Sequence, residues 1–180
     1  LGLPIAGLSQ LQRVLVVGSN LRKDHPLFAQ RIRQAARLGC VEHAIVDKTT
    51  DWALPVAQTI EVQPALWVQT LADIASAIAA EKGIAAPAAG SANANAQAIA
   101  KSLLGGERKA ILLGNAAAHH SKSTSLLALA NWIAAETGAS VGYLTEAANT
   151  VGAQLAGAMP GAAGLNAAQM LQGGVKAVLL

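Results

Sequence analysis

The sequence is poor in charge, in aromatic residues and in cysteine, and these shortages exclude several classes of protein. Only 13% of the residues are charged, about half the usual share, so we expect part of the surface to be covered by other domains or subunits. The net charge of +3 is too small to indicate nucleic-acid binding. The single cysteine, Cys40, excludes internal disulfides and any cluster ligated wholly by cysteines of this chain.

Long apolar runs are missing as well. No stretch approaches the roughly 20 apolar residues of a transmembrane helix, and no signal peptide is visible. We therefore expect no direct insertion into a membrane. The chain begins with Leu1 rather than Met, and it ends in an apolar run, Val175 to Leu180, where a strand-to-helix turn should follow. These ends predict a fragment of a longer protein, folded as a single α/β domain over residues 1–180.

The sequence does contain a series of short apolar runs, each followed by small or polar residues. The clearest is Val14 to Val17, followed by Gly18-Ser19-Asn20, and Lys109 to Gly114 has the same form. Such runs are typical of buried parallel strands, and their alternation with helices favours right-handed crossovers. The sequence therefore predicts a three-layer, Rossmann-like, doubly wound and mostly parallel sheet of five to six strands, in the order 3-2-1-4-5-6.

The predicted domain has a first βαβαβ half with its crossover helix over 10–83, a connector and helix over 84–106, and a second half over 107–180. Residues 84–93 predict a flexible connector, and Val175 to Leu180 predicts the sixth strand. Asp24 and Ser121 are predicted helix caps. Helical spacing places one apolar face of each long helix in the core: Trp67, Leu71, Ile74 and Ile78, then Leu126, Leu129, Ala130 and Ile133.

Two predicted strand-to-helix turns form the candidate site. In this strand order the first and fourth strands are neighbours, and their carboxyl ends meet at the switch point where doubly wound folds bind ligands. Helix amino ends there would offer free N–H groups to an anion or a phosphate. Neither turn matches the Gly-x-Gly-x-x-Gly fingerprint or the phosphate-loop pattern, so capping and solvated roles stay open. The candidate residues are Gly18, Ser19, Asn20, Gly114, Asn115 and Ser121.

No catalytic or metal-binding set emerges from the spacing. His119 and His120 are adjacent, which rarely allows both to bind one ion, and no cysteine or carboxylate cluster supports them. We expect the pair to face solvent or a partner. Asp47 ends the second strand, where a dinucleotide-binding fold offers an acid to a ribose, but strand termination is the favoured interpretation. We therefore predict no catalytic residue and no metal ligand.

The stretch from Val17 to Leu27 (VGSNLRKDHPL) resembles the molybdopterin-oxidoreductase superfamily. More closely, it is similar to the large iron–sulfur subunits of bacterial NADH-quinone oxidoreductases. Residues 113–121, 137–149 and 152–157 strengthen the resemblance, which spans about residues 10–180. It implies the fold of the α/β domains of formate dehydrogenase and DMSO reductase.

The resemblance implies a non-catalytic structural domain of complex I, which passes electrons from NADH to quinone and couples this to proton translocation. The fragment alone would be inactive. The parent chain would carry [4Fe-4S] and [2Fe-2S] clusters outside this segment. It would lie in the peripheral arm, on the cytoplasmic side of the bacterial inner membrane. Its partners would be other domains of the same large iron–sulfur protein and the other proteins of the peripheral arm.

In molybdenum-containing relatives, a Gly-Ser-Asn turn of this kind helps to hold the guanosine-diphosphate tail of the pterin. Only Gly18, Ser19 and Asn20 carry over to that role, and Leu21 stands where those enzymes commonly place Pro or a small residue. The resemblance therefore implies a vestigial pocket without molybdopterin. The alternatives are a pterin-guanine-dinucleotide-binding domain of a formate dehydrogenase or nitrate reductase, and a stand-alone nucleotide-binding protein.

Overall fold

The computed structural model describes residues 1–144, 146, 149–173 and 175–177. The chain divides into two compact units, Leu1–Leu144 and Thr145–Leu180. The first unit contains strands β1 Arg13–Val17, β2 Val41–Val46, β3 Gln58–Glu61, β4 Lys109–Leu113 and β5 Ser140–Tyr143. Its helices are α1 Leu21–Asp24, α2 Pro26–Arg37, α3 Trp67–Lys82, α4 Ala94–Leu104, α5 Asn115–Ala118 and α6 Ser123–Thr137, with 3₁₀ segments at Ile5–Gln10 and Pro64–Leu66. The second unit contains α7 Thr150–Leu155 and α8 Ala167–Leu171.

The five strands form one sheet in the order β3-β2-β1-β4-β5, and every neighbouring pair is parallel. This confirms the predicted fold class. Strand β1 is central, and its Val17 is in register with Ile45 on one side and Leu113 on the other. The predicted sixth strand is not seen at residues 175–177, and its remainder, 178–180, lies outside the described residues.

Helices cover both faces of this sheet. On one face α3, α4 and α6 pack in a single core, and on the other α2 packs with the first 3₁₀ segment. Right-handed crossovers explain the division, because the chain moves from β1 towards one edge through α2 and from β4 towards the other edge through α6. Strands β2 and β3 are joined by a loop without a helix, and its Trp52 is buried against the α2 face.

The long helices bury the faces that their spacing predicted. Trp67, Leu71, Ile74 and Ile78 of α3 are all at most 1% exposed, and the inward residues of α6 are buried too. The connector before α4 differs from its prediction, because it is held to α3 by Asp73. The carboxylate of Asp73 accepts hydrogen bonds from the Ser91 N–H at 2.7 Å and from Asn93 Nδ2 at 3.3 Å.

Two predicted helix caps are wrong. His25, not Asp24, occupies the N-cap of α2, and it makes no side-chain capping hydrogen bond. Helix α6 starts at Ser123 with Lys122 at its N-cap, so Ser121 lies one residue too early to cap it. In both places a four-residue helix intervenes between the strand and the long helix, and spacing alone did not predict it.

Candidate functional site

The two strand-to-helix turns lie directly against each other at the carboxyl ends of β1 and β4. The Gly114 N–H donates to the Val17 carbonyl at 2.8 Å, and the Ala116 N–H donates to the Gly18 carbonyl at 3.1 Å. A Cβ atom on Gly114 would lie 2.3 Å from Cβ of Ser19, closer than any side chain tolerates. The turns are therefore joined directly by backbone hydrogen bonds.

The first turn is occupied by a carboxylate of the chain itself. Oδ2 of Asp24 accepts hydrogen bonds from Ser19 Oγ and from the Asn20 N–H, each at 2.9 Å. Because α1 is only four residues long, its last residue can fold back to the turn that precedes it. The donors that the sequence offered to an external anion are thus used by Asp24.

The α3 face of the same turn is filled by an indole ring. Gly18 has φ +64°, and a Cβ atom there would lie 2.7 Å both from Cζ3 of Trp67 and from the Ala117 nitrogen. Trp67 is 1% exposed, and its Nε1 donates to the Val62 carbonyl at 3.2 Å. The helical spacing correctly predicted that Trp67 is buried, but it gave no sign that this ring contacts Gly18.

His120 completes this packing, which corrects the prediction for that histidine, whereas His119 is exposed as predicted. Its ring stacks on Trp67 with 5.9 Å between centroids. Nδ1 accepts from the Lys122 N–H at 3.0 Å, and Nε2 lies 3.0 Å from the Pro64 carbonyl oxygen. These partners fit a neutral ring with its proton on Nε2. Among the described residues there is no group of three side chains able to hold a metal ion.

A small pocket remains beside the first turn, with a volume of about 170 Å³. The first-turn residues Gly18, Ser19 and Asn20 line it together with residues at the end of β2, among them Asp47 and Thr50. The second-turn candidates do not line it. Gly114 is buried under Ser19, Ser121 is exposed, and Oδ1 of Asn115 is buried without a hydrogen-bond partner among the residues that the structure describes. The structure therefore brings three of the six candidate residues to one pocket.

Arg22 of α1 forms an ion pair with Asp51 of the β2–β3 loop, which directly follows the pocket residue Thr50 in the sequence. A hydrogen bond from the Ala53 N–H lowers the pKa of Asp51, and the positive charge of Arg22 lowers it further. Both side chains are more than half exposed, so the pair contributes little to stability. The charged residues that line the pocket itself are Asp24, Asp47 and Lys48.

This arrangement does not suit a large anionic ligand. Pockets for ligands of drug size have volumes of about 300–1,000 Å³, well above the volume found here. Two carboxylates in the lining would repel a phosphate, and Lys48 is the cation that faces them there. The decisive residues are Asp24 and Trp67. The sequence predicted Asp24 as a helix cap and Trp67 as a core residue. It did not predict that both contact the first turn, because the spacing of residues along the chain does not show such contacts.

Comparison with known proteins bears on the family. No curated protein sequence matches the chain significantly. The family model of molybdopterin oxidoreductases matches residues 1–180, the whole chain. None of the helices in the described residues is both long enough and apolar enough to cross a membrane. The match agrees with the doubly wound sheet and with the Gly-Ser-Asn turn at the end of β1, and the chain belongs to the molybdopterin oxidoreductase family.

Proposed function

We propose that the chain is a non-catalytic structural domain of the large iron–sulfur subunit of a respiratory NADH-quinone oxidoreductase. One observation carries the proposal. The turn that would hold a nucleotide at the switch point is filled from both sides by the chain, with Asp24 on its donors and Trp67 against Gly18.

The cofactor that the family name implies is a molybdopterin, and the residues at this turn do not fit it. The Asn20 N–H and the Ser19 hydroxyl, which would bind a diphosphate, already donate to Asp24. Displacing a charged acceptor from two hydrogen bonds costs more than breaking neutral ones, because charge-assisted bonds are roughly twice as strong. The remaining volume of about 170 Å³ is also too small for a guanine dinucleotide.

In this proposal electrons pass through iron–sulfur clusters in another part of the parent chain, on the cytoplasmic side of the bacterial inner membrane. The domain contributes packing surface to the peripheral arm. The low charged fraction of 13% supports a covered surface.

Metal and nucleotide analysis of the full-length parent protein tests the proposal. We expect iron and acid-labile sulfide, no stoichiometric molybdenum, and no guanine nucleotide released on denaturation. Membranes that contain the parent should oxidise NADH with a quinone as acceptor. One molybdenum and one pterin-guanine dinucleotide per chain would overturn the proposal.

The competing candidate is a pterin-guanine-dinucleotide-binding domain of a molybdenum oxidoreductase of the formate dehydrogenase or nitrate reductase type. The buried, unpaired Oδ1 of Asn115 favours it, since a ligand donor would satisfy that atom. A thermal-shift series with guanosine diphosphate and other nucleotides separates the two, because a ligand that binds only the folded state raises the melting temperature. We expect no shift.

A further inference from the structure

Helix α2 presents an outward stripe that nothing in the first unit covers. Leu27 is 77% exposed and Leu38, at the end of the helix, is 84% exposed. Eleven residues separate them, about three turns and about 17 Å, and they are rotated by only about 20° around the helix axis. Gln34 lies between them on the same side and is exposed, and its Oε1 accepts a hydrogen bond from Ser9 Oγ of the first 3₁₀ segment at 3.0 Å, so the two leucines lie at either end of one strip of surface.

Arginines flank this strip. Arg33 and Arg37 are exposed and Arg31 is half-buried. Within the described residues neither Arg33 nor Arg37 makes a salt bridge, and α2 contains no Asp or Glu. Residues 22–37 hold five of the 13 lysines and arginines of the chain but only one of its 10 acidic residues, Asp24, whose carboxylate is turned to Ser19.

The fold does not need this outer face. Helix α2 is anchored by Ala29, Ile32 and Ala35, all of which are buried in the core on that side of the sheet. The leucines and exposed arginines therefore contribute little to folding, and they leave apolar area in water. Apolar anchors surrounded by arginine are typical of protein–protein interfaces, in which arginine is enriched and lysine depleted.

We propose that the outer face of α2 docks a protein surface with an apolar centre and a rim of Asp and Glu. The leucines would be buried in that centre, and Arg33 and Arg37 would pair with the rim. Nucleic acid fits less well, because the strip has no aromatic ring for base stacking. A lipid surface fits less well too, because helices that lie on membranes bury a broad apolar face with Trp, Phe and Leu. This inference does not depend on the proposed function.

The test uses the full-length parent protein in its native cells, with the photo-crosslinker benzoylphenylalanine in place of Gln30, an exposed neighbour of the strip. Peptide mapping of the adduct identifies the contacted surface. We expect the adduct to contain a protein segment with an apolar centre and with at least two carboxylates within reach of Arg33 and Arg37. Charge reversal by Arg33→Glu with Arg37→Glu should weaken that association about tenfold or more. Changing the contacted acids to Lys should restore it.

The matched control is Lys101→Glu with Lys122→Glu, which reverses two exposed cations of the first unit at helices α4 and α6, on the face of the sheet opposite α2. It should leave the association unchanged, and urea unfolding should show that both double variants fold. The proposal is overturned if the adduct contains nucleic acid or lipid, or a protein surface without acidic residues. It is also overturned if no adduct forms, or if reversal at Arg33 and Arg37 weakens association no more than the control does.

Discussion

Glu42 and His43 are adjacent in β2, and their side chains are buried on opposite faces of the sheet without a hydrogen-bond partner among the described residues. Glu42 is in register with Val14 on the α2 face, and His43 with Leu15 on the α3 face. Burial raises the pKa of Glu42 to about 8. Burial, together with the positive charge of Arg13, lowers the pKa of His43 to about 4.

These two shifts predict a pH optimum of stability. The raised pKa of Glu42 contributes stability that is fully present below pH 4.5 and lost as the pH rises to about 8. The lowered pKa of His43 contributes stability that is present above pH 6.5 and lost as the pH falls to about 4. The two slopes oppose each other between pH 4.5 and 6.5, so we expect a plateau there and a fall on either side. Urea unfolding from pH 4 to pH 9 measures the curve.

Replacing Glu42 should remove the loss of stability that we expect at alkaline pH. Glu42→Met keeps the volume and leaves no ionisable group, so we expect the free energy of unfolding at pH 8 to rise by about 3 kcal/mol. At pH 5, where Glu42 is protonated, the gain should be much smaller. Equal gains at both pH values would contradict the burial of an ionisable carboxyl here. The variant Glu42→Gln separates the effect of the charge from the effect of burying a polar group, because its amide cannot ionise but stays buried and unpaired.

The contact between Gly18 and Trp67 can be tested by a pair of glycine substitutions. Gly18→Ala places a methyl group 2.7 Å from the indole, so we expect a loss of about 2–4 kcal/mol in unfolding free energy. Gly83→Ala is the control, because Gly83 has φ +66° and nothing lies within 4 Å of the added atom. It should cost only about 1 kcal/mol. Similar losses in both variants would mean that Trp67 does not occupy this position.

The hydrogen bonds that the Asp24 carboxylate accepts predict that Asp24 contributes more to stability than Asp51 does. Asp24→Ala removes the acceptor of two hydrogen bonds and should destabilise the domain by about 1–2 kcal/mol. It should also speed amide hydrogen exchange at Asn20. Asp51→Ala removes the exposed ion pair with Arg22 and an exposed hydrogen bond from the Ala53 N–H, so we expect a smaller loss of stability than in Asp24→Ala. Unchanged exchange at Asn20 in the first variant would argue against the contact.

A functional prediction concerns Asn20 itself. If the chain serves in an NADH-quinone oxidoreductase, as we propose, and the turn no longer holds a ligand, Asn20→Ala should leave electron transfer from NADH to quinone in the assembled enzyme nearly unchanged. Its backbone N–H still donates to Asp24, since the substitution affects only the side chain. Activity and subunit content of purified complexes provide the readout. A large loss of activity in a normally assembled complex would contradict a vestigial pocket.

The sheet could be predicted because its signals are local. Strand β1 is a continuous apolar run that ends at Gly18, and a strand buried on both faces requires such a run. The same holds for α3, in which Trp67, Leu71 and Ile78 repeat at helical spacing. The strand order followed from the alternation of strands and helices and from the handedness of crossovers.

The site was less predictable because its contacts join residues far apart in sequence. Trp67 contacts Gly18 although the two are 49 positions apart in the sequence, and no local pattern predicts such a contact. The position of Asp24 in the sequence is typical of a helix N-cap. Its carboxylate instead accepts a hydrogen bond from the preceding turn, because a break at His25 separates α1 from α2. Glu42 is an acid at the start of a strand, where exposure is the normal expectation, yet it is fully buried on the α2 face of the sheet.

The central position of β1 has a consequence for synthesis on the ribosome. Arg13 pairs with Val41 on one side but with Lys109, 96 positions later, on the other. Until β4 has left the exit tunnel, the backbone N–H and C=O groups along one side of Val14 to Val17 have no strand to pair with. Such an edge is prone to aggregate, so a translational pause before Lys109 would lengthen the interval in which chaperones have to protect it.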